Sequence, residues 1–411
     1  MQVPATRPGF ARWLAAIAAG GLAVRLIYVL ALTPGLRGHG DSAYYHQLAN
    51  LLAGGHGFVD PGNGTPTALH PPLFPLLLAA FSALGLDSWQ AQRVVVCLVG
   101  AATIVVVGLI GRRVAGERTG LIAAALAALS PVLVSADGAV MAETLLGLLV
   151  ALVALVAYAP PSLRRGALLG ALVGLAALTR GEALLLLLLL ARRPPRELAA
   201  MVLACLVVLA PWTIRNFSTF DKPVPISTNE GNLIAGANCD NTYRGRDIGS
   251  WDLRCVPGGP IEDESLAAAR FRHAGLNYAS DHAGRVPLVL LARLGRTFEL
   301  FQPVRQAQHA EARAAGLEVA GAVFFLLLVP LGAYGAIVLR RRGVPLAPLL
   351  APFGLAIAAT LIGYGVPRFR HPADVALVVL AGAGSSVASS RSAGSGGLKS
   401  RFRRSAGRST T

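Results

Sequence analysis

Asp41, Glu143, Arg180, Glu182, Arg215 and Arg368 stand at the ends of long apolar runs. An ionised side chain is costly there unless it is paired, wetted or used. Asp41 follows the first run in Gly40-Asp41-Ser42-Ala43-Tyr44-Tyr45-His46 and opens a short amphipathic stretch ended by Gly54 and Gly55. Its carboxylate suits either an N-cap or a reactive role. Glu143, in Gly138-Ala139-Val140-Met141-Ala142-Glu143, opens another run, where an acid also complements the helix dipole. Arg180 and Glu182 flank Gly181 as either a structural ion pair or part of a phosphate site. Arg215 and Asn216 leave a run in Pro211-Trp212-Thr213-Ile214-Arg215-Asn216, and Arg368, Arg370 and His371 precede one in Pro367-Arg368-Phe369-Arg370-His371-Pro372. Any one arginine reads equally as an interfacial anchor with its stem in the bilayer boundary. Three such sites at one face fit an anionic ligand, with a lipid phosphate the obvious candidate, because the guanidinium fork matches phosphate oxygens. His70 opens a further apolar segment in His70-Pro71-Pro72-Leu73-Phe74-Pro75, whose prolines punctuate a helix start.

The elements that hold these residues are set by composition. Of 411 residues, 54% are hydrophobic and 14% charged, and mean hydropathy is +0.58, which excludes a soluble protein with one ordinary core. The net charge of +16 rests on Lys and Arg, of which only Lys222 and Lys399 are lysines. These arginines lie in short clusters between apolar runs, which is the positive-inside pattern of a membrane protein rather than a nucleic-acid surface.

A bilayer span takes about 20 mostly apolar residues. Ten runs qualify: Phe10 to Leu32, Gln90 to Gly111, Thr119 to Ala136, Thr144 to Tyr158, Gly166 to Leu178, Ala183 to Ala191, Leu198 to Trp212, Gly316 to Leu339, Val344 to Tyr364 and Asp374 to Val387. The expected fold class is therefore an all-α polytopic membrane protein with about ten transmembrane helices. Pro71 to Leu86 is short and Pro-led, and parity assigns it. If it lies in the interface and the N-terminus is cytosolic, Arg112, Arg113 and Arg118, then Arg164 and Arg165, then Arg192, Arg193 and Arg196, then Arg340 to Arg342, and the basic tail from Arg391 all fall on the cytosolic side. Only Glu117 and Glu197 of the 21 acids join them. The chemistry is expected outside. The pair of short helices from Gly166 to Ala191, turning at Thr179-Arg180-Gly181-Glu182, is the step on which that sidedness depends.

Two outer regions remain within a membrane domain of residues 1–387: 33–89, with interfacial helices, and 213–315, a mixed extracytoplasmic loop. Residues 388–411, rich in Ser, Gly and Arg, are expected to form a disordered cytosolic tail. Cys97 and Cys205 lie in spans as small apolar residues. Cys239 and Cys255 stand in the larger outer loop, where an oxidising compartment permits a disulfide, two free thiols being the alternative. No Cys/His spacing suggests zinc.

In this order the motifs resemble those of the type C glycosyltransferases of the protein mannosyltransferase and aminoarabinose transferase superfamily, in particular its uncharacterised bacterial members. The resemblance runs over about residues 10 to 385. It rests on Asp41 after the first span, the HPPLFP segment at His70, Glu143 opening the fourth span, Thr-Arg-Gly-Glu at 179–182, Pro-Trp-x-x-Arg-Asn ending at Asn216, Arg-Phe-Arg-His-Pro from Arg368, and Asn229-Glu230-Gly231-Asn232-Leu233 in the outer loop.

That resemblance implies an inverting transfer of a sugar from a polyprenyl-phosphate donor to an extracytoplasmic acceptor, a glycan, glycolipid or protein, at a bacterial plasma membrane. Asp41 is then the general base. Arg180, Arg215 and Arg368 meet the donor phosphate, His70 and Glu143 line the sugar or acceptor pocket, Glu182 orients Arg180, and Asn216 and His371 border the substrate. Ser42 departs from the second acid common in relatives, so a divalent cation is an option and not a requirement. A strict protein O-mannosyltransferase stays open as an alternative. A polytopic transporter is disfavoured, since transporters place ionisable groups near mid-membrane, and here only Arg25 and Arg93 lie clearly inside spans.

Overall fold

In a computed structural model of the chain, which describes residues 8–258 and 263–386, the protein is helical throughout. In chain order the helices are α1 Pro8–Ile27, α2 Gly40–Ala53, α3 Leu73–Ser82, α4 Trp89–Ala115, α5 Glu117–Leu129, α6 Pro131–Asp137, α7 Glu143–Ala157, α8 Leu163–Ala177 and α9 Leu185–Leu189. They continue with α10 Pro195–Thr219, α11 Asn229–Ala237, α12 Asp240–Tyr243, α13 Glu264–Asp281, α14 Val286–Thr297, α15 Pro303–Gln308, α16 Ala315–Arg341, α17 Ala347–Ile362 and α18, 371–386. Among the described residues the sole β-type pairing is one antiparallel bridge, Val59 with Pro66. The outer region expected to be mixed is thus built of helices and short 3₁₀ turns. The proposed tail, 388–411, lies outside the described residues.

Among the described residues four helices are long and apolar enough to cross a membrane: Gly9–Leu32, Trp89–Ala115, Pro195–Thr219 and Ala315–Arg341. α5 and α6 pass the same test only when taken together, with a bend of 60° between them. Pro131 opens α6 at the bend, and a proline lacks the N–H that would carry the helix through. Ten-residue α3 is about 15 Å long, half the hydrocarbon thickness. It packs Phe74 and Leu78 inward beside α2 and leaves Leu76 exposed.

Parallel packing of α8 and α10 settles the short-helix segment. A Cβ on Gly166 would overlap the Glu197 carbonyl and one on Gly170 the Met201 carbonyl, so each four-residue step on α8 meets a four-residue step on α10. Small residues permit this backbone approach, as at other membrane-helix seams. Two successive parallel helices need a returning leg between them, and residues 179–194 supply it as a 3₁₀ turn, Gly181–Leu184, and the short α9. It is not a continuous helix.

The molecule has two chemically distinct ends. At one, Arg113 donates to the Tyr158 carbonyl (2.9 Å), the Tyr158 hydroxyl to the Pro345 carbonyl (2.9 Å), and Arg165 and Arg193 both pair with Glu197 (2.6 and 3.2 Å). Arg112 lies over the Phe10 ring (4.9 Å), and Thr119 bonds Ser386 (3.0 Å), so the first and last described helices also reach this basic end. The opposite end carries residues 33–89 and 213–315, the two regions expected to lie outside. Between them, buried Arg25 is neutralised by Asp137 at 2.6 Å, and Arg93 donates to the carbonyls of Gly138 and Thr33, both at 2.6 Å. The two arginines inside spans are structural.

Candidate active site

Asp41 sits in the first turn of α2 because Gly40, at φ 54°, turns the chain into the helix. A Cβ at Gly40 would stand 2.9 Å from the Glu311 carboxylate, so the approach itself requires glycine. The capping role is not taken up: the N-cap position is His39 and makes no side-chain bond to the helix. Instead the Asp41 carboxylate points into a cavity of about 570 Å³ that Asp41, His70, Arg180, Glu182, Glu311 and Arg368 help to line.

Arg368, on the 3₁₀ turn Pro367–Arg370, is the centre of this cluster. Its Nη1 lies 3.0 Å from Asp41 Oδ2 and 3.3 Å from Glu311 Oε2, its Nη2 donates to the Tyr364 hydroxyl (2.7 Å), and its Nε is 3.9 Å from Glu143. His70 Nε2 is 3.4 Å from the other Asp41 oxygen, with its ring packed against Tyr44 and Tyr45. Arg180 donates to Glu182 (2.6 Å) and Glu143 (3.1 Å) and stacks over Phe369 (4.8 Å). Glu143 is buried at the start of α7, and its second oxygen has no partner among the described residues.

Burial works to raise the Asp41 pKa, but Arg368 above all, then His70 and Arg180, hold it well below the usual carboxylate range. Glu311 moves the other way. Burial raises it, and Asp41 nearby adds to that, against the pull of Arg368. The two carboxylates bracket one guanidinium, and the ionised form is favoured on Asp41.

Three residues expected at the site are placed elsewhere. Arg215 donates to the carbonyls of Thr67 (2.9 Å) and Phe58 (3.2 Å) and lies over Trp212 (5.0 Å), which fastens the first outer region to the end of α10. Asn216 is buried and bonds Arg215 and the Ile226 carbonyl. His371 is buried against Gly147 of α7, behind the cavity wall. Cys239 and Cys255 are joined by a disulfide, Cα–Cα 6.0 Å, in the segment that brings Trp251 to the cavity. Among the described residues no three His, Cys, Asp or Glu side chains converge as a metal site, and the Arg368 guanidinium occupies the place between Asp41 and Glu311 where a bridging cation would sit. The residues present do not fit a divalent cation.

Glu311, Tyr364 and Trp251 also line the cavity, and none of them belongs to the motifs named above. Glu311 lies in Gln306-Ala307-Gln308-His309-Ala310-Glu311-Ala312-Arg313, which carries no apolar period and no spacing that distinguishes one acid.

Residues 69–214, just over a third of the chain, match the family described as dolichyl-phosphate-mannose-protein mannosyltransferase. No curated protein matches the sequence. Two solved structures of the archaeal oligosaccharyltransferase from Archaeoglobus fulgidus are similar. One, AglB in complex with an inhibitory peptide and a dolichol-phosphate, has a TM-score of 0.53 at 16% identity over 98% of this chain and 52% of its own. The other, in the apo form, has a TM-score of 0.55 at 14% identity over 97% and 53%. ArnT from Cupriavidus metallidurans bound to undecaprenyl phosphate has a TM-score of 0.45 at 15% identity over 91% and 78%. This chain spans about half the length of the oligosaccharyltransferases it matches. The family match agrees with the resemblance to the type C glycosyltransferases over residues 69–214, and the likeness to the oligosaccharyltransferase shows a shared helical fold.

Proposed function

We propose that the protein is an inverting glycosyltransferase that moves a sugar from a polyprenyl-phosphate donor to an acceptor hydroxyl on the extracytoplasmic side of a bacterial plasma membrane. The observation that carries this reading is the Asp41 carboxylate held between Arg368 and His70 in a cavity at the end of the molecule away from the basic clusters. The basic end and both termini then face the cytosol, with ten legs crossing the membrane. Residues 1–387 act as one membrane domain.

A further cavity of about 430 Å³ shares Arg180, Glu182 and Phe369 with the main one and is walled by Ile226, Leu233 and Ile362. Its apolar wall suits the polyprenyl tail, with the phosphate at Arg180 and Arg368. In the reaction the acceptor oxygen attacks the anomeric carbon opposite the phosphate, the carbon–oxygen bond to phosphate breaks, and its electron pair leaves on the polyprenyl phosphate. The proton passes from the acceptor hydroxyl to Asp41. A phosphate leaving group needs cations rather than a general acid.

The resting geometry gives this chemistry an order. Arg368 depresses Asp41 and makes it a poor base, whereas a donor phosphate in reach of Arg368 draws the guanidinium's charge and returns basicity to Asp41. His70 and Glu143 border the sugar, Glu182 orients Arg180, and Arg215, Asn216 and His371 shape the walls from behind.

Lipid analysis of a strain lacking the gene tests the reading. The polyprenyl-phosphate sugar that accumulates identifies the donor, and the glycan, glycolipid or glycoprotein that disappears identifies the acceptor. Unchanged polyprenyl-phosphate sugars and envelope glycans contradict it.

A further inference from the structure

Beyond the wall formed by Trp251, Tyr364 and Arg368 lies a second cavity of about 430 Å³, which shares His309 and Glu311 with the first. Five arginines border it against four carboxylates. Four of the five are committed. Arg296 donates to the carbonyls of Ile248 and Arg246 (both 2.7 Å), Arg305 pairs with Asp247 (2.8 Å), Arg254 with Asp252 (2.6 Å), and Arg368 with Asp41 and Glu311.

Arg313 is different. It is only 9% exposed, and among the described residues its one ion pair is a long 3.8 Å approach to Glu318 and its Nη2 finds no acceptor. Glu318, also 9% exposed, leaves its Oε1 equally unmatched. A buried guanidinium short of acceptors is a costly arrangement, and its planar fork fits two oxygens of one phosphate or carboxylate.

We propose that this second cavity is an anion subsite for the acceptor: the acceptor carries a phosphate or carboxylate that Arg313 binds, while its hydroxyl reaches Asp41 past the Trp251–Tyr364 wall. The proposal rests on the glycosyltransferase reading above. It takes the anion to be the acceptor's because the apolar cavity suited to the donor tail opens from the Arg180 side of the main cavity and shares no residue with the second.

The test titrates the full-length protein in lipid nanodiscs with inorganic phosphate, methyl glucuronide and methyl glucoside, and separately with polyprenyl phosphate, by calorimetry. Expected is binding of an anionic probe but not of the neutral glycoside, weakened about tenfold or more in Arg313→Gln, as for a lost hydrogen bond to a charged group. Glu318→Gln removes the competing carboxylate and should tighten the same binding several-fold, an outcome a merely structural pair would not give. Polyprenyl-phosphate binding stays unchanged in both variants. The preferred probe, phosphate or glucuronide, identifies the acceptor's anion. Equal binding of the neutral glycoside, an unchanged affinity in Arg313→Gln, or displacement of polyprenyl phosphate by inorganic phosphate overturns the proposal. Should Arg313→Gln not fold, the sign of the Glu318→Gln effect decides. Failure of polyprenyl phosphate to bind the wild-type protein counts instead against the glycosyltransferase reading, since the anion titration does not depend on it.

Discussion

Arg368 Nη1 stands 3.0 Å from Asp41 Oδ2, across 327 residues of sequence, and joins the start of the first outer region to the turn before the last helix. Because the same nitrogen is 3.3 Å from Glu311, the guanidinium holds two acids at one point, and the three side chains come from three separated segments. If its further task is to meet the donor phosphate, Arg368→Ala should weaken donor binding by tenfold or more, as expected for a charge-assisted pair worth roughly 1.5–3 kcal/mol. Unchanged affinity for a polyprenyl-phosphate probe counts against that role.

Protonation should separate the two acids. Asp41 is held below the usual carboxylate range and Glu311 is raised above it, so as pH falls the first proton taken up at this cluster goes to Glu311 while Asp41 stays ionised. Infrared difference spectra should show a protonated-carboxyl band that vanishes in Glu311→Gln and persists in Asp41→Asn. The reverse pattern contradicts the assignment.

Arg25 and Asp137 are both buried, 2.6 Å apart, and Thr144 donates to the second Asp137 oxygen. Removing one partner leaves an uncompensated charge, so Arg25→Met should cost about 3–5 kcal/mol, with much of it regained in Arg25→Met combined with Asp137→Leu. Thermal unfolding in detergent measures both. A single variant as stable as wild type would show the pair to be dispensable.

The Cys239–Cys255 bond closes a 16-residue separation around Trp251, whose indole donates to the Asn232 carbonyl at 3.0 Å. Replacing both cysteines by serine should release about 2–4 kcal/mol of restraint. Hydrogen exchange in residues 239–255 should rise, and transfer should fall through acceptor KM rather than kcat. Unaltered exchange there would falsify the restraint.

The features most legible in the sequence were those fixed by depth. Apolar runs and arginine clusters gave the two ends of the molecule, since a charge cluster beside a 20-residue apolar run has few places to be, and Arg113, Arg165 and Arg193 do gather at one end. Asp41, His70, Glu143, Arg180 and Glu182 were each placed by a local motif and come together around Arg368. Direction was not legible. Arg215 stands at the expected depth, yet its guanidinium turns to the Thr67 and Phe58 carbonyls, a choice set by Trp212 and Phe220 packing on it. Glu311 was invisible for the complementary reason: nothing local marks it, and only the tertiary fold brings it to Ser42, whose backbone N–H donates to it at 3.0 Å. The bend at Pro131 and the broken leg 179–194 lie inside uniformly apolar stretches, where hydropathy counts residues and does not record how the helix is interrupted.

The most direct measurement compares donor binding and sugar transfer in Asp41→Asn, once the lipid-linked donor is known. The substitution keeps the side chain's size and a hydrogen bond to Arg368 but removes the base. The account predicts a folded protein that binds donor at close to wild-type affinity and transfers at least about a hundredfold more slowly, the low end of general-base effects. Transfer at near wild-type rate would contradict it.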